Sequence, residues 1–389
     1  MRNLWKCLLP AVLLAMVGPA AAQAESLVYI KGGDVYLTGA PGTVRVTTDG
    51  NYESSSQADD GTIVAVQKGV DNDGQTYRYL IRMNRSGKRL NPPVETIDHI
   101  STYSGPFNAK VSPDGRLVVY DWLAGGPLLT PGPYFSISDS SSSTPKEKYE
   151  TSRGYINPNW LDSSRILLFN GSGLIQTYNL AAPKGSRFQD WFTDREASPS
   201  GGEVNAQGNK LVSSANTTAG LVFYPLPGPP LTPPVTRCLI NLSGGGVLRP
   251  TWNPDGSELA WQQGDGIHLG VVDLPGCRLT ANVLAVPGGS YPDFGPANVA
   301  VPRPTATVPR RASRSAVRAG LRVRVRCAVR CRAVVSLIRG RRVVRRVTRT
   351  LTGTVTVRPK AALPRGTRRI SVRVKALGRT ITRSVLITG

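Results

Sequence analysis

The chain has 389 residues, 40% of them hydrophobic, with 48 Lys+Arg against 25 Asp+Glu and two histidines. That length can bury a large core and predicts two domains. Two histidines cannot build a three-histidine metal centre, and no HExxH, CxxC or GxSxG spacing occurs, which leaves the common metallohydrolase, thiol-redox and nucleophile-elbow classes without a motif.

Residues 1–24 read as a signal peptide. Arg2 and Lys6 supply the positive end, Cys7 to Val17 the apolar run, and Ala22-Gln23-Ala24 a small-residue cleavage site. Cys7 stands at the start of the apolar run instead of at its end, which argues against a lipoprotein. No later stretch is apolar for ~20 residues, so the expectation is an exported protein, secreted or held at the cell envelope.

The next 277 residues carry a repeating turn and strand. Leu27 to Thr47 predicts three short strands around Gly32-Gly33 and Pro41-Gly42 turns. Asp60-Gly61 then leads into TIVAV, Pro113-Asp114-Gly115 into RLVVY, Ser163-Ser164 into RILLF, Gln207-Gly208 into NKLVSS, and Pro254-Asp255-Gly256 into SELAW. The second residue of each pair falls at 61, 115, 164, 208 and 256, a period in the forties to low fifties that signals propeller blades. Proline presets φ, aspartate bonds back to the backbone, and glycine takes the left-handed conformation, so these are turn residues before they are anything else. The stretch from Tyr291 to Val301 opens a further unit too short to stand alone. Pairing it with the N-terminal strand from Leu27 closes the ring and removes its open edges. The expectation is an all-β, six-bladed β-propeller over 25–301, or seven blades if an irregular stretch hides a unit. Two insertions, Asp139 to Pro145 and Leu226 to Val235, read as exposed loops.

The tail differs in kind. Residues 303–389 hold 25 basic residues, 23 of them Arg, and no Asp or Glu, whereas residues 1–302 are close to neutral. VPRPTATVP and the arginines after it predict a Pro/Arg-rich linker over 302–318. Beyond it, Leu321 to Cys327 alternates apolar residues with Arg322, Arg324 and Arg326. Six or seven short strands over 319–389 predict a small, basic β-sandwich. Of the four cysteines left after the signal, three pairings exist. Cys238 with Cys277 and Cys327 with Cys331 keeps each bridge within one domain, and the second needs a bend, since four residues of straight strand span roughly 13 Å.

VSPDGRLVVY and WNPDGSELAW resemble the Pro-Asp-Gly repeats of TolB-like (WD40-like) β-propellers, over roughly residues 25–301. The resemblance implies exported scaffolds, binding platforms or accessory domains beside hydrolases, and transfers no site residue. The Arg-rich strands and Cys327-x-x-x-Cys331 are similar to small immunoglobulin-like sandwiches that end exported actinobacterial proteins.

Candidate chemistry is sparse. His99 and His268 read as structural, and Asp71-Asn72-Asp73-Gly74 as a hairpin turn lacking the downstream Glu of a calcium loop. Trp252 and Trp261 flank a repeat turn and read as packing, while Trp191 is open to a ligand role. Arg322, Arg324, Arg326, Arg341, Arg342, Arg345 and Arg346 form the polyanion-binding candidate, because guanidinium forks onto phosphate and carboxylate. No cofactor, catalytic residue or metal ligand is expected. Nucleic acid is not expected as a partner, and the chain reads as a monomer. The function expected is a non-enzymatic binding or scaffold protein: its propeller face engages a protein or glycan, and its basic domain associates with anionic envelope polymers or lipid headgroups. The alternative is a propeller lyase or hydrolase acting on a glycan through channel carboxylates.

Overall fold

The computed structural model describes residues 25–39, 42–70, 74, 76–95, 103–125, 130–142, 152–228, 231–244, 246–297, 304–376 and 379–388. The signal-peptide reading, the Asp71-Asn72-Asp73 turn and His99 therefore lie outside the described residues. Six antiparallel sheets come first. Sheet 1 holds β1 (Ser26–Lys31), β2 (Asp34–Gly39) and β3 (Gly42–Arg45). Sheet 2 holds β4 (Tyr52–Gln57), β5 (Ile63–Val70) and β6 (Thr76–Met83). Sheet 3 holds β7 (Tyr103–Val111), β8 (Leu117–Ala124), β9 (Gly132–Asp139) and β10 (Ser152–Arg153). Sheet 4 is β11 (Ile156–Trp160), β12 (Arg165–Phe169), β13 (Leu174–Asn179) and β14 (Phe188–Thr193). Sheet 5 is β15 (Pro199–Val204), β16 (Lys210–Ala215), β17 (Gly220–Pro225) and β18 (Cys238–Asn241). Sheet 6 is β19 (Leu248–Trp252), β20 (Leu259–Gln263), β21 (Gly266–Asp273) and β22 (Arg278–Pro287). The following strand, β23 (Gly289–Gly295), returns to sheet 1 and pairs antiparallel with β1, Leu27 opposite Phe294 and Val28 opposite Asp293. That is the ring closure the sequence predicts, and it gives β1 a partner on both sides.

The packing follows the same circuit. In β5, Ile63 and Ala65 pack with Val28, Val35 and Leu37 of sheet 1, while Val64 and Val66 pack with Val118 and Tyr120 of sheet 3. In β12, Ile166 and Leu168 turn to Phe135 of sheet 3, and Leu167 and Phe169 to Leu211 and Val222 of sheet 5. Trp252 and Trp261 join Val212 and Phe223 across sheets 5 and 6, and Ile267 joins Leu27 and Tyr29 across sheets 6 and 1. Six clusters thus fill six junctions between consecutive sheets. A middle strand apolar on both faces is the consequence, which is why TIVAV and RILLF are continuous apolar runs. The architecture is a β-propeller.

The repeat turns behave as their chemistry dictates. Asp60, Asp114 and Asp255 accept from the backbone N–H two residues on, at Thr62 (2.7 Å), Arg116 (3.1 Å) and Ser257 (2.9 Å). Gly61, Gly115 and Gly256 lie at φ 81°, 74° and 69°, where a side chain is strained. In the Ser163-Ser164 turn the bond shifts back one residue: Asp162 accepts from the Ser164 N–H at 2.7 Å. His268 stacks on Trp261 and bonds Asp265 and Asn282, each at 2.8 Å, a structural role. The described part of the Pro-rich insertion is the expected exposed loop, with Val235 87% exposed, but it is pinned at two points. Leu226 and Leu231 pack into the sheet 4–5 junction, and Thr232 takes the Trp191 indole N–H at 3.0 Å.

The tail forms one hydrogen-bonded network: β24 (Thr305–Thr307), β25 (Arg311–Ser313), a short helix α1 (Arg314–Gly320), β26 (Val323–Arg339), β27 (Arg342–Val357), β28 (Arg369–Ala376) and β29 (Arg379–Thr388). The predicted linker over 302–318 is corrected here. β24 pairs with β26, β25 runs parallel to β29, and Val317 of α1 is fully buried. Ala306 and Ala312 also pack on that core, so apolar residues hidden among the prolines and arginines tie the segment down. The separate short strands expected on either side of Cys327–Cys331 are instead continuous in β26, paired with β27 before and after the cysteines. Between Cys327 and Cys331 the register slips: they face Gly353 and Leu351, four residues on one strand against two on the other. This bulge bends the strand between the two cysteines, as the expected bridge between them would require. Cys238 and Cys277 are bridged, Cα atoms 5.3 Å apart, and Cys327 is also disulfide-bonded; the Cys331 side chain lies outside the described residues.

Candidate functional site

The inner strands of the six sheets carry one residue each at a common level: Ser56, Lys110, Asn159, Glu203, Thr251 and Asp293. Their bonds run around the ring from sheet to sheet. Ser56 Oγ accepts from the Val111 N–H (2.8 Å), and the Lys110 carbonyl accepts from the Trp160 indole N–H (2.8 Å). Asn159 Nδ2 donates to the Gly202 carbonyl (3.0 Å), and Glu203 Oε1 accepts from the Trp252 N–H (3.2 Å). Thr251 Oγ1 accepts from the Phe294 N–H (3.1 Å), and Asp293 Oδ2 from the Gln57 N–H (2.8 Å), which closes the circuit. All six junctions are bridged at this level. The ring is therefore a structural belt as much as a channel lining.

Its charges are largely withdrawn from water and need partners. Lys110 Nζ pairs with Asp293 Oδ1; the side chains are 18% and 9% exposed. Glu203 has no cation of its own. Burial pushes its carboxyl up to about 7; Lys110 nearby pulls it down and Asp293 pushes it up. One level along the axis sits a second polar cluster. Asp121 is 5% exposed and accepts from both the Asn157 N–H (2.8 Å) and Asn108 Nδ2 (2.9 Å). Arg249 lies over the Tyr291 ring, 3.8 Å from its centroid, and donates to Asn108 Oδ1 at 2.7 Å. Burial raises the Asp121 carboxyl and lowers the Arg249 guanidinium from their ordinary values. Asn108, Asn157, Arg249 and Tyr291 all adopt positive φ, between 46° and 55°, at bulges of the inner strands, which turns them toward the axis.

Above the belt a cavity of about 630 Å³ opens on the side of the repeat turns. Gln57, Val111, Trp160, Val204, Trp252 and Phe294, one from each sheet, form its lower wall, and Pro113, Asp162, Ala206, Pro254 and Pro296 its upper wall. A smaller pocket on the other side is lined by Asn108, Asn157, Arg249 and Tyr291, and Lys110 and Asn159 line both. Trp191, singled out in the sequence, lines the large cavity but is only 5% exposed and anchored through Thr232. Pro113 and Pro254 edge the cavity, so the repeat turns double as its rim. Lys110, Glu203 and Asp293 escaped the sequence reading. Register is the signal that finds the first two: each stands five residues before the second turn residue of its repeat, as do Ser56, Asn159 and Thr251.

The predicted basic residues are all exposed but do not form one patch. Arg322, Arg324 and Arg326 lie on or beside the start of β26. Arg341, Arg342, Arg345 and Arg346 surround the β26–β27 turn, where Leu337 faces Arg345 and Ser336 faces Arg346.

No protein-family model matches the sequence, and no curated protein matches it. Similar solved structures include the periplasmic gluconolactonase of Pseudomonas aeruginosa, 13% identical with a TM-score of 0.47, covering 93% of this chain and 96% of that one. A TolB candidate from Agrobacterium tumefaciens is 13% identical, TM-score 0.44, over 69% of this chain and 92% of that one. The β-propeller domain of Cps50 (Swd1) from Myceliophteria thermophila is 11% identical, TM-score 0.41, over 69% and 88%. At these identities no residue role passes from them to this chain.

Proposed function

We propose that this chain is an exported, non-enzymatic binding protein whose propeller takes a protein or glycan in the cavity above the belt. Its basic C-terminal domain, on this reading, associates with anionic polymers of the cell envelope. The observation that carries the reading is the use of the converging carboxylates. Glu203 and Asp293 both accept backbone N–H groups across sheet junctions, and Asp293 also holds Lys110. Groups bound in this way build a wall. The cavity above them presents indole edges, prolines and amides, a surface suited to hydroxyl-rich or peptide ligands.

Ala206 tests this reading, because it is exposed on the upper wall and makes no side-chain bond. Ala206→Trp is expected to occlude the cavity and weaken binding to envelope glycan fragments or peptides at least tenfold without changing the unfolding midpoint. Unchanged binding by the variant would remove the cavity from the function.

One observation favours the enzymatic alternative, a lyase or hydrolase. Glu203 lines an open cavity with a carboxyl pushed up to about 7, beside a second carboxylate and a lysine. On that reading Glu203→Gln would abolish turnover of a glycan that still binds.

A further inference from the structure

The start of the basic domain's long strand carries a feature that general basicity does not require. Val323, Val325 and Cys327 are fully buried, so alternation forces Arg324 and Arg326 onto the opposite, exposed face, in line with Arg322 just ahead of the strand. The strands on either side supply threonines in register. Thr305 and Thr354 flank Arg326, and Thr307 and Thr356 flank Arg324. Beyond them Arg358 joins Arg322 and Arg324 along a groove of about 320 Å³, edged by Thr307, Val308, Pro309 and Thr356.

None of these arginine and threonine side chains has a hydrogen-bond or ion-pair partner among the described residues. They cannot find a carboxylate side chain nearby in sequence either, because the last acidic residue of the chain is Asp293. The result is a ladder of free guanidinium forks, about 6.7 Å apart along the strand, walled by hydroxyl donors about 4.8 Å to each side. Arg forks grip phosphate or carboxylate oxygens in two-point bonds, and hydroxyls complete the shell of an oxyanion.

We infer that the Arg322–Arg324–Arg326 ladder, with its threonine walls and Arg358, is a binding site for an extended linear polyanion bearing one oxyanion per repeat. The inference rests on the proposed role of the basic domain and assigns that role to one strand face. A row of exposed arginines along a groove at the start of the strand fits a linear chain better than a flat lipid surface. The domain's exposed large apolar residues among those described, Val343 at the far end of β27 and Leu386 of β29, are not among the residues of the ladder or its threonine walls.

The test uses the full mature chain with poly(glycerol phosphate) across a salt series. Free glycerol phosphate and vesicles of anionic phospholipid serve as separate arms. Wild type should bind the polymer with an affinity that falls linearly in log–log salt, bind the monomer at least a hundredfold more weakly, and favour polymer over vesicles. Arg322→Thr, Arg324→Thr and Arg326→Thr combined should weaken polymer binding more than tenfold and flatten the salt slope by about two to three. The hairpin variant Arg341→Thr, Arg342→Thr, Arg345→Thr and Arg346→Thr should lose less. Hydrogen exchange on wild type, which needs no variant to fold, should show polymer protecting 305–307, 322–326 and 354–358.

Loss confined to the hairpin variant, or protection confined to the hairpin, would overturn the ladder while keeping the basic domain as a polyanion binder. Stronger binding to vesicles would replace the polymer by a lipid surface. No binding in any arm would overturn both the ladder and the reading beneath it.

Discussion

Asp293→Ala is expected to destabilise the propeller by about 3–5 kcal/mol, the cost of breaking a buried ion pair from one side. The substitution strips Lys110 of its partner and also leaves the Gln57 N–H without its acceptor. Asp293 sits on β23, the strand that closes the ring, so both losses fall on the first-to-last junction. Asp293→Asn should cost less, because its amide oxygen still accepts from Gln57 and only the charge is lost. Denaturant unfolding followed by tryptophan fluorescence reads the difference, since Trp160 and Trp252 border the belt. If Asp293→Ala unfolds within about 1 kcal/mol of wild type, the belt does not hold the ring together.

The second large effect is a pH dependence assigned to Glu203. Its carboxyl is raised in the folded protein from the ordinary 4.5 to about 7, chiefly by burial. Between those values the folded state binds the proton that the unfolded state has released, so stability falls as pH rises from about 4.5 to 7. The full shift is worth roughly 3 kcal/mol by linkage. Glu203 lies in a channel that opens to solvent and is itself partly exposed, so water trims the swing to about 2 kcal/mol. Glu203→Gln keeps an acceptor for the Trp252 N–H and removes the charge. The variant should match wild type near pH 5 and exceed it by about 2 kcal/mol at pH 8. Unfolding midpoints at the two pH values check this, and equal differences at both would show that Glu203 titrates normally.

The architecture is legible in the sequence because its determinants are local. Asp-Gly turns must place glycine at positive φ and aspartate at the backbone, and the apolar middle strands follow them at fixed distance. Ring closure is legible too, since the N-terminal unit is one strand short and Tyr291-Pro-Asp-Phe is too short to stand alone, although the strand it adds is the inner one, beside β1, and not an outer one. The segment 302–318 misleads for a physical reason. Prolines and arginines dominate its composition, but Ala306, Ala312 and Val317, too few to form a pattern, fix it to the core. The belt is harder still. Lys110, Glu203 and Asp293 are 93 and 90 residues apart in sequence, and only a closed ring brings their side chains to one axis. The arginine ladder is half legible: strict alternation shows Arg322, Arg324 and Arg326 on one face. The threonines beside them come from β24 and β27, whose register no local pattern states.

On the proposed function, the basic domain holds the protein at the envelope through its charge. Binding of the chain from residue 25 onward to purified cell envelope across a salt series tests this most directly. Retention is expected at low salt and should fall as a straight line in log–log form, with Ala206→Trp leaving that slope unchanged. Retention indifferent to salt, or none at any salt, would contradict it.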